Sequence, residues 1–346
     1  MQYPVRNVKD WGKLGRLSLK KRIRLFLRDR RYRKRAKSDQ GVEFERINAA
    51  TAPLGPRDII LICVARNAAT YIPSFLAHYR RLGVTRFAFL DDRSDDQTRT
   101  LLSQPDVDLY ASNVDFRRAS GGLLWRDMLV GQYGYDRWYI SVDCDEYLIY
   151  PGCENRPITA FAADLERNRL KRTLAIMLDI YPDGKLTEAA HDPIDAPPTF
   201  CCPLHDGDGY TVYDDSHSTA VRGGPRLRLF GADMRMSKFP VIFVDRMTQF
   251  NGGSHHAPIP VTRNFGPVHA VLLHYKFPAD AVREFHRIAD QGTHAKEAGF
   301  YKAIISHVAF GEEMDLRYPG SVRFTDSENL VAKGYMKDLR IPVKQQ

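Results

Sequence analysis

This chain of 346 residues is notable first for what it lacks. No apolar run approaches the roughly 20 residues that a membrane-spanning helix needs, so none is expected. No apolar stretch follows the first residues, so no secretory signal is expected either. Cysteine is scarce: Cys63, Cys144, Cys153, Cys201 and Cys202 form no Cys-x-x-Cys pair. An odd count without framework spacing speaks against a disulfide scaffold and for a reducing, cytoplasmic setting. The adjacent pair Cys201-Cys202 reads as two buried thiols, with a redox pair as the alternative. There is no internal repeat and no low-complexity block outside a basic N-terminal stretch.

The charge is unevenly placed. The whole chain carries +9, yet residues 1–40 hold 15 Lys and Arg against 3 Asp, giving +12 there and −3 for the remainder. Within that stretch Leu19, Ile23, Phe26 and Leu27 fall on one face at helical spacing. Such a segment can lie on an anionic membrane surface, on the inner membrane face for a cytoplasmic protein. A nucleic-acid contact or a disordered basic arm are the other readings. No basic groove interleaved with aromatics continues into the body, so no nucleic-acid partner is expected. Residues 41–57, ending in Thr51-Ala52-Pro53-Leu54-Gly55-Pro56, read as a linker, so residues 1–57 form a basic extension. Residues 58–336 would be the folded domain and 337–346 a tail.

The body opens on a continuous apolar run, Ile59 to Val64, the pattern of a parallel strand buried on both faces. Tyr71 to Leu82 follows as a helix, with Gly83 as its stop. Arg86 to Leu90 and Val107 to Tyr110 read as strands separated by a short helix from Thr98 to Leu102. Residues 122–134 read as helical and Trp138 to Val142 as another strand. This β-α-β-α-β order predicts an α/β fold with a parallel sheet and right-handed crossovers. Farther on, Leu174–Leu178, Leu227–Leu229, Val241–Val244 and Val271–Leu273 read as strands. Residues 182–226 read as long loops and Ala279 to Asp290 as a helix.

Three polar clusters fall at predicted strand C-termini: Arg66-Asn67, Asp91-Asp92 and Asp143-Cys144-Asp145. Ligands of open α/β sheets bind outside that edge. If the strand continued, Asp143 and Asp145 would point to one side and converge on a divalent cation carrying phosphate oxygens. A solvated turn is the bland alternative for any Asp-x-Asp.

With these residues in view, the chain resembles GT-A fold glycosyltransferases, within the family-2-like bacterial set, over about residues 58–336. The likeness rests on Val64-Ala65-Arg66-Asn67, Leu82-Gly83-Val84, Asp91-Asp92-Arg93-Ser94-Asp95-Asp96-Gln97-Thr98 and Val142 to Leu148. The stretches Arg222 to Gly231 and Leu273-His274-Tyr275-Lys276-Phe277 are also similar. The resemblance implies a mixed sheet with flanking helices, a nucleotide-sugar donor, UDP-linked, and Mn²⁺ or Mg²⁺. It implies a glycan, lipid-linked saccharide or protein acceptor, with inversion at the sugar carbon. Asp143, Asp145 and His274 would hold the metal. Arg66, Asn67, Asp92, Asp143 and Lys276 would contact the donor, with Arg226 a further diphosphate candidate. The chain departs from the pattern at Ala68, where relatives often carry an acid. For the general base, Asp183, Asp214, Asp215 and Asp233 are candidates, and Asp233 is preferred for its place after Arg226–Gly231.

Two other functions compete. A nucleotidyltransferase would also need carboxylate-held metal, but Ala65-Arg66-Asn67-Ala68 lacks the expected glycines. A non-catalytic sugar-nucleotide-binding protein would need no base. Tyr139, Trp138 and Trp125 read as core residues. His255-His256 sit in a glycine-containing loop, and His286, His294 and His307 read as surface residues.

Overall fold

A computed structural model describes residues 1–36, 41–254, 257–291, 299–308 and 310–340. Two six-stranded sheets dominate it, and the architecture is mixed α/β with flanking helices. The first sheet runs, from edge to edge, Val241–Val244, Arg137–Ser141, Ile60–Ala65, Arg86–Asp91, Val107–Ser112 and Phe44–Asn48. Its four inner strands are mutually parallel, as the apolar runs predict. Ile60, Leu61, Ile62, Phe87, Ala88 and Phe89 are all fully buried, which is why these strands show no polar alternation.

The helix Ile72–Arg81 begins with proline in its first turn and buries Ile72, Phe75, Leu76 and Tyr79. Its chain reverses at Gly83, whose φ of +86° is costly for any residue with a Cβ. Trp125 and Tyr139 are fully buried and Trp138 nearly so, as expected for core residues.

The second sheet runs Ser321–Arg323, Leu204–Asp206, Leu174–Tyr181, Val268–His274 and Glu146–Ile149, with Ser237–Lys238 also paired to Leu174–Tyr181. It is mixed: Val268–His274 is parallel to Leu174–Tyr181 and antiparallel to Glu146–Ile149. The chain passes from the first sheet to the second through residues 142–145, between Arg137–Ser141 and Glu146–Ile149.

Three expectations change. Residues 182–226 carry the strands Leu204–Asp206, Tyr210–Asp214 and Thr219–Arg222, which their Gly, Asp and His content concealed. Leu227–Leu229 lies in a helix, Pro225–Phe230, started by proline and stopped by Gly231 in the left-handed region. The alternating Arg-Leu-Arg-Leu pattern imitates a strand, but the caps decide. Finally, the stretch read as a linker holds the edge strand Phe44–Asn48, antiparallel to Val107–Ser112.

The N-terminal segment is fastened to the body rather than trailing from it. Gln2–Tyr3 pairs with Tyr210–Asp214, and the Tyr3 hydroxyl donates to the Tyr335 carbonyl at 2.6 Å. The Val5 amide donates to the Gly334 carbonyl at 2.9 Å. A Cβ on Gly334 would stand 2.0 Å from the Val5 carbonyl oxygen, so only glycine permits this approach.

Three buried histidines couple the fold to pH. His78, His205 and His269 donate to the carbonyls of Leu148, Asp206 and Lys337 at 2.9–3.0 Å. Burial holds each at about 4. The unfolded chain therefore binds protons that the folded chain does not between about pH 6.5 and 4, and stability falls as pH falls through that window. Each histidine contributes a slope of about 1.4 kcal/mol per pH unit. Urea unfolding of His269→Gln at a series of pH values is expected to show a slope smaller by about one proton than wild type. Equal slopes would mean that the folded imidazole is already charged.

Candidate functional site

Strand register builds the site. His274 pairs with Glu146 on one side and with Asp179 on the other. Directly opposed residues project to the same face of a sheet, so the three side chains stand in a row. His274 Nδ1 lies 2.6 Å from Asp179 Oδ1, and its Nε2 lies 3.2 Å from Asp145 Oδ2. Asp179 is fully buried and also accepts from Arg226, Nε at 2.7 Å and Nη2 at 3.0 Å. Lys276 Nζ reaches Asp145 Oδ2 at 3.4 Å and sits 5.2 Å from the centre of the Tyr301 ring.

The Asp-x-Asp motif is a turn, not a strand end. Asp143 lies outside any strand and Cys144 and Asp145 form the turn, so the i, i+2 convergence expected of a strand does not hold. The two carboxylates separate. Asp143 Oδ1 pairs with Arg126 Nη2 at 2.6 Å and Oδ2 with Lys238 Nζ at 2.5 Å. Lys238 also holds Glu146 Oε1 at 2.5 Å, while the Asp143 amide donates to Glu146 Oε2 at 3.0 Å. Among the described residues, the group whose donor atoms lie within 4.8 Å of one another is Asp145, Glu146 and His274. Glu146 replaces Asp143 in that group because its strand partner is His274, whereas Asp143 faces two cations.

The electrostatics follow from these contacts. Burial alone would raise the Asp145 carboxyl, but His274 and Lys276 override it and hold the group well below its ordinary value. Burial lowers His274, yet Asp145 and Asp179 together raise it. Asp179 is lowered in spite of burial by Arg226 and His274. Glu146 is raised, by burial first, with Lys238 opposing. The donor set of carboxylate oxygen and imidazole nitrogen suits Mn²⁺ or a similar divalent ion. Asp179 fixes the Nδ1 proton of His274, leaving Nε2 aimed at Asp145, the arrangement common in histidine ligands. The residues therefore fit a divalent metal.

The other predicted residues scatter. Asp92 is buried beside Arg66, 3.7 Å from its Nη1, and its Oδ1 has no hydrogen-bond partner among the described residues. Burial raises its carboxyl, with Arg66 opposing. Asn67 adopts φ +49°, and its Oδ1 accepts from the Asp95 amide at 2.9 Å, so its side chain organises the loop after Arg86–Asp91. Arg226 is buried, with its Nε and Nη2 given to Asp179. Asp233 is not brought into the network: its side chain is 56% exposed and pairs with Arg222 at 3.0 Å. Asp183 pairs with Arg317 and Arg323, Asp214 accepts from Thr219 and Gly15, and Asp215 pairs with Arg235. His255, His256 and His294 lie outside the described residues.

Sequence reading missed Asp179, Arg126 and Lys238. An aspartate inside the apolar strand Leu174–Tyr181 was the available signal, because a buried carboxylate requires a partner. Cys144 lies with its Sγ 3.4 Å from that of Cys63, so the turn rests on the strand Ile60–Ala65.

No protein-family model and no curated protein matches the chain. Solved structures similar to parts of it include S. aureus TarS 1–349, 18% identical over 37% of this chain and 37% of that one, with a TM-score of 0.29. Another TarS 1–349 structure is a complex with UDP-GlcNAc. Glucosyl-3-phosphoglycerate synthase from Mycobacterium tuberculosis, in complex with Mn²⁺, UDP and glucosyl-3-phosphoglycerate, is 19% identical over 40% of this chain and 49% of that one, TM-score 0.22. A 4-diphosphocytidyl-2C-methyl-D-erythritol synthase is 13% identical over 37% of this chain and 64% of that one, TM-score 0.25. The chain thus spans little more than a third of TarS 1–349.

Proposed function

We propose that the protein is a metal-dependent glycosyltransferase that moves a sugar from a UDP-linked donor to a glycan, lipid-linked saccharide or protein acceptor, with inversion. The observation that carries this reading is the hydrogen-bonded chain Asp145–His274–Asp179, whose Asp145 end sits where the chain crosses between the sheets. Asp145 lies on the turn that follows the carboxyl end of Arg137–Ser141, and His274 and Asp179 reach it from the second sheet. Asp92 directly follows the strand Arg86–Asp91 of the first sheet, and its Oδ1, without a hydrogen-bond partner among the described residues, suits a nucleoside hydroxyl.

In this reading Asp145 and His274 hold the cation, with Glu146 within reach. A divalent ion bound there supplies Lewis-acid stabilisation of charge on the departing diphosphate. Lys276 adds a charge-assisted donor for the diphosphate oxygens. Arg66 and Asp92 orient the nucleoside, and Asn67 shapes the loop that carries them. Asp143, 38% exposed, is held by Arg126 on Oδ1 and Lys238 on Oδ2, and its exposed side would meet the donor. For the base that takes the acceptor proton we propose Asp233. Its exposed pair with Arg222 holds it by only about 0–1 kcal/mol, so an acceptor hydroxyl can replace the arginine. Burial lowers His274 but Asp145 and Asp179 raise it, so a proton at Nε2 would compete with a cation there, and affinity should rise with pH.

A second reading, a sugar-nucleotide-binding protein without transfer, is favoured by one fact: every base candidate is engaged in an ion pair or hydrogen bonds. A screen of nucleotide sugars for release of nucleoside diphosphate, with and without Mn²⁺, separates the two. Mn²⁺-dependent release of UDP is the expected result. Donor that binds and stays intact with every acceptor offered would favour the binding protein, and no binding at all would sink both.

A further inference from the structure

The basic N-terminal helix shows its apolar side to solvent. Leu19–Arg35 is a 17-residue helix with Ser18 as its N-cap, the Ser18 hydroxyl accepting from the Lys21 amide. On its inner side Leu25 is 1% exposed. Both Asp29 carboxylate oxygens accept from the Val261 amide at 3.1–3.2 Å, and the Tyr32 hydroxyl meets His217 Nε2 at 2.7 Å. These contacts recur every three to four residues, so they fix the rotation of the helix about its axis. The opposite side carries Leu19, Ile23, Phe26 and Leu27, which are 75%, 54%, 54% and 49% exposed. This is the apolar stripe that the sequence pattern would ordinarily send into a core, and the fold turns it outward.

Charge singles out the same helix. It holds ten Lys and Arg and one Asp, a net +9, equal to the net charge of the entire chain. The rest of the protein is balanced, with 41 residues of each sign. Arg24, Arg30, Arg31, Lys34 and Arg35 are exposed along it. A solvated basic helix has no need of four exposed large apolar residues, and a phosphate-tracking nucleic-acid surface gains nothing from them. An anionic bilayer uses both, since the apolar side chains enter the headgroup boundary while the cations meet the negative lipid phosphates. Among the described residues no helix is long and apolar enough to cross a membrane.

We propose that the outer face of Leu19–Arg35 docks the protein flat on an anionic lipid surface. This goes beyond the reading of the donor site and does not depend on it. Co-sedimentation of the full chain with vesicles tests it, comparing phosphatidylcholine alone with three parts phosphatidylcholine to one part phosphatidylglycerol. Binding to the anionic vesicles is expected to be at least about tenfold tighter, and to weaken with salt. The double variant Ile23→Ser/Phe26→Ser is expected to lose about tenfold or more, since two buried apolar side chains are removed from the boundary. Arg24→Glu/Arg31→Glu should lose at least as much. All four positions are exposed, so thermal unfolding of both variants should match wild type. Equal binding to neutral and anionic vesicles, or indifference to Ile23→Ser/Phe26→Ser, would overturn the proposal. So would binding to duplex DNA that exceeds vesicle binding and ignores the apolar pair. UDP binding measured on the same variants should not change, which keeps failure of the lipid surface distinct from failure of the donor site.

Discussion

Replacing Asp145 by Asn is expected to weaken Mn²⁺ binding by more than about 100-fold, beyond the 10- to 100-fold typical for loss of an outer-shell partner. The amide keeps the shape of the side chain and removes its charge. What then remains around the position is the Lys276 ammonium and the His274 imidazole, with no carboxylate of Asp145 to balance them. An incoming dication would meet repulsion in place of a carboxylate. Titration calorimetry with Mn²⁺, then with UDP in saturating Mn²⁺, reads both consequences. Asp143→Asn provides the contrast. Asp143 is held by Arg126 and Lys238 outside the Asp145–Glu146–His274 group, so its loss should change Mn²⁺ affinity by less than about tenfold. If the two variants lose equally, the division of the motif described above is wrong.

The same substitution has a stability signature with a definite sign. Asp145 is held below its ordinary value by His274 and Lys276, so its ionised form stabilises the metal-free fold. A depressed carboxylate contributes stability above its unfolded value near 4, and this is lost as pH falls through the folded value. Metal-free Asp145→Asn should therefore be less stable than wild type at neutral pH, by about 1.5–3 kcal/mol, the range for hydrogen bonds to a charged group. A site made of mutually repelling acids would instead gain stability. Added Mn²⁺ should raise the melting temperature of wild type and leave the variant unmoved.

Arg226→Met is expected to cost about 3–5 kcal/mol of folding stability, because it strands the fully buried Asp179 carboxylate without its bidentate partner. Urea denaturation at neutral pH measures this. Asp179→Leu/Arg226→Met should recover much of the loss, since a buried ion pair replaced by apolar groups is often nearly neutral. That recovery should not extend to the site. His274 would lose the acceptor 2.6 Å from its Nδ1, and with it a fixed proton and ring orientation. Mn²⁺ affinity should then stay down by about 10- to 100-fold although the protein is folded. A cost below about 1 kcal/mol for Arg226→Met would show that Asp179 is not carrying a buried charge.

How much of this could be read in advance depends on where the information lies. The parallel strands of the first sheet were legible because both faces are buried, and a run such as Ile60–Val64 has no polar residue to misplace. The helix Ile72–Arg81 was legible from its own periodicity and from Gly83. Pro225–Phe230 was misread because alternation of Arg and Leu over six residues suits either period, and only the caps distinguish them. Asp145, His274 and Lys276 could be proposed together only through resemblance, since 131 residues separate Lys276 from Asp145.

Taken alone, the sequence determined the α/β class, the buried strands, the lone concentration of positive charge and the identity of the acidic turn. Each is a property of neighbouring residues. The tertiary structure alone decided that Glu146, His274 and Asp179 stand abreast, because strand register is a relation between segments far apart in the chain. It also decided that Arg126 and Lys238 claim Asp143 while Asp145 is left to His274, because a buried charge is settled by whichever partner the fold brings near. For the same reason the apolar stripe of Leu19–Arg35 faces outward: Leu25 and Asp29 found their partners on the body, and the rotation of the helix left Ile23 and Phe26 no place but the surface.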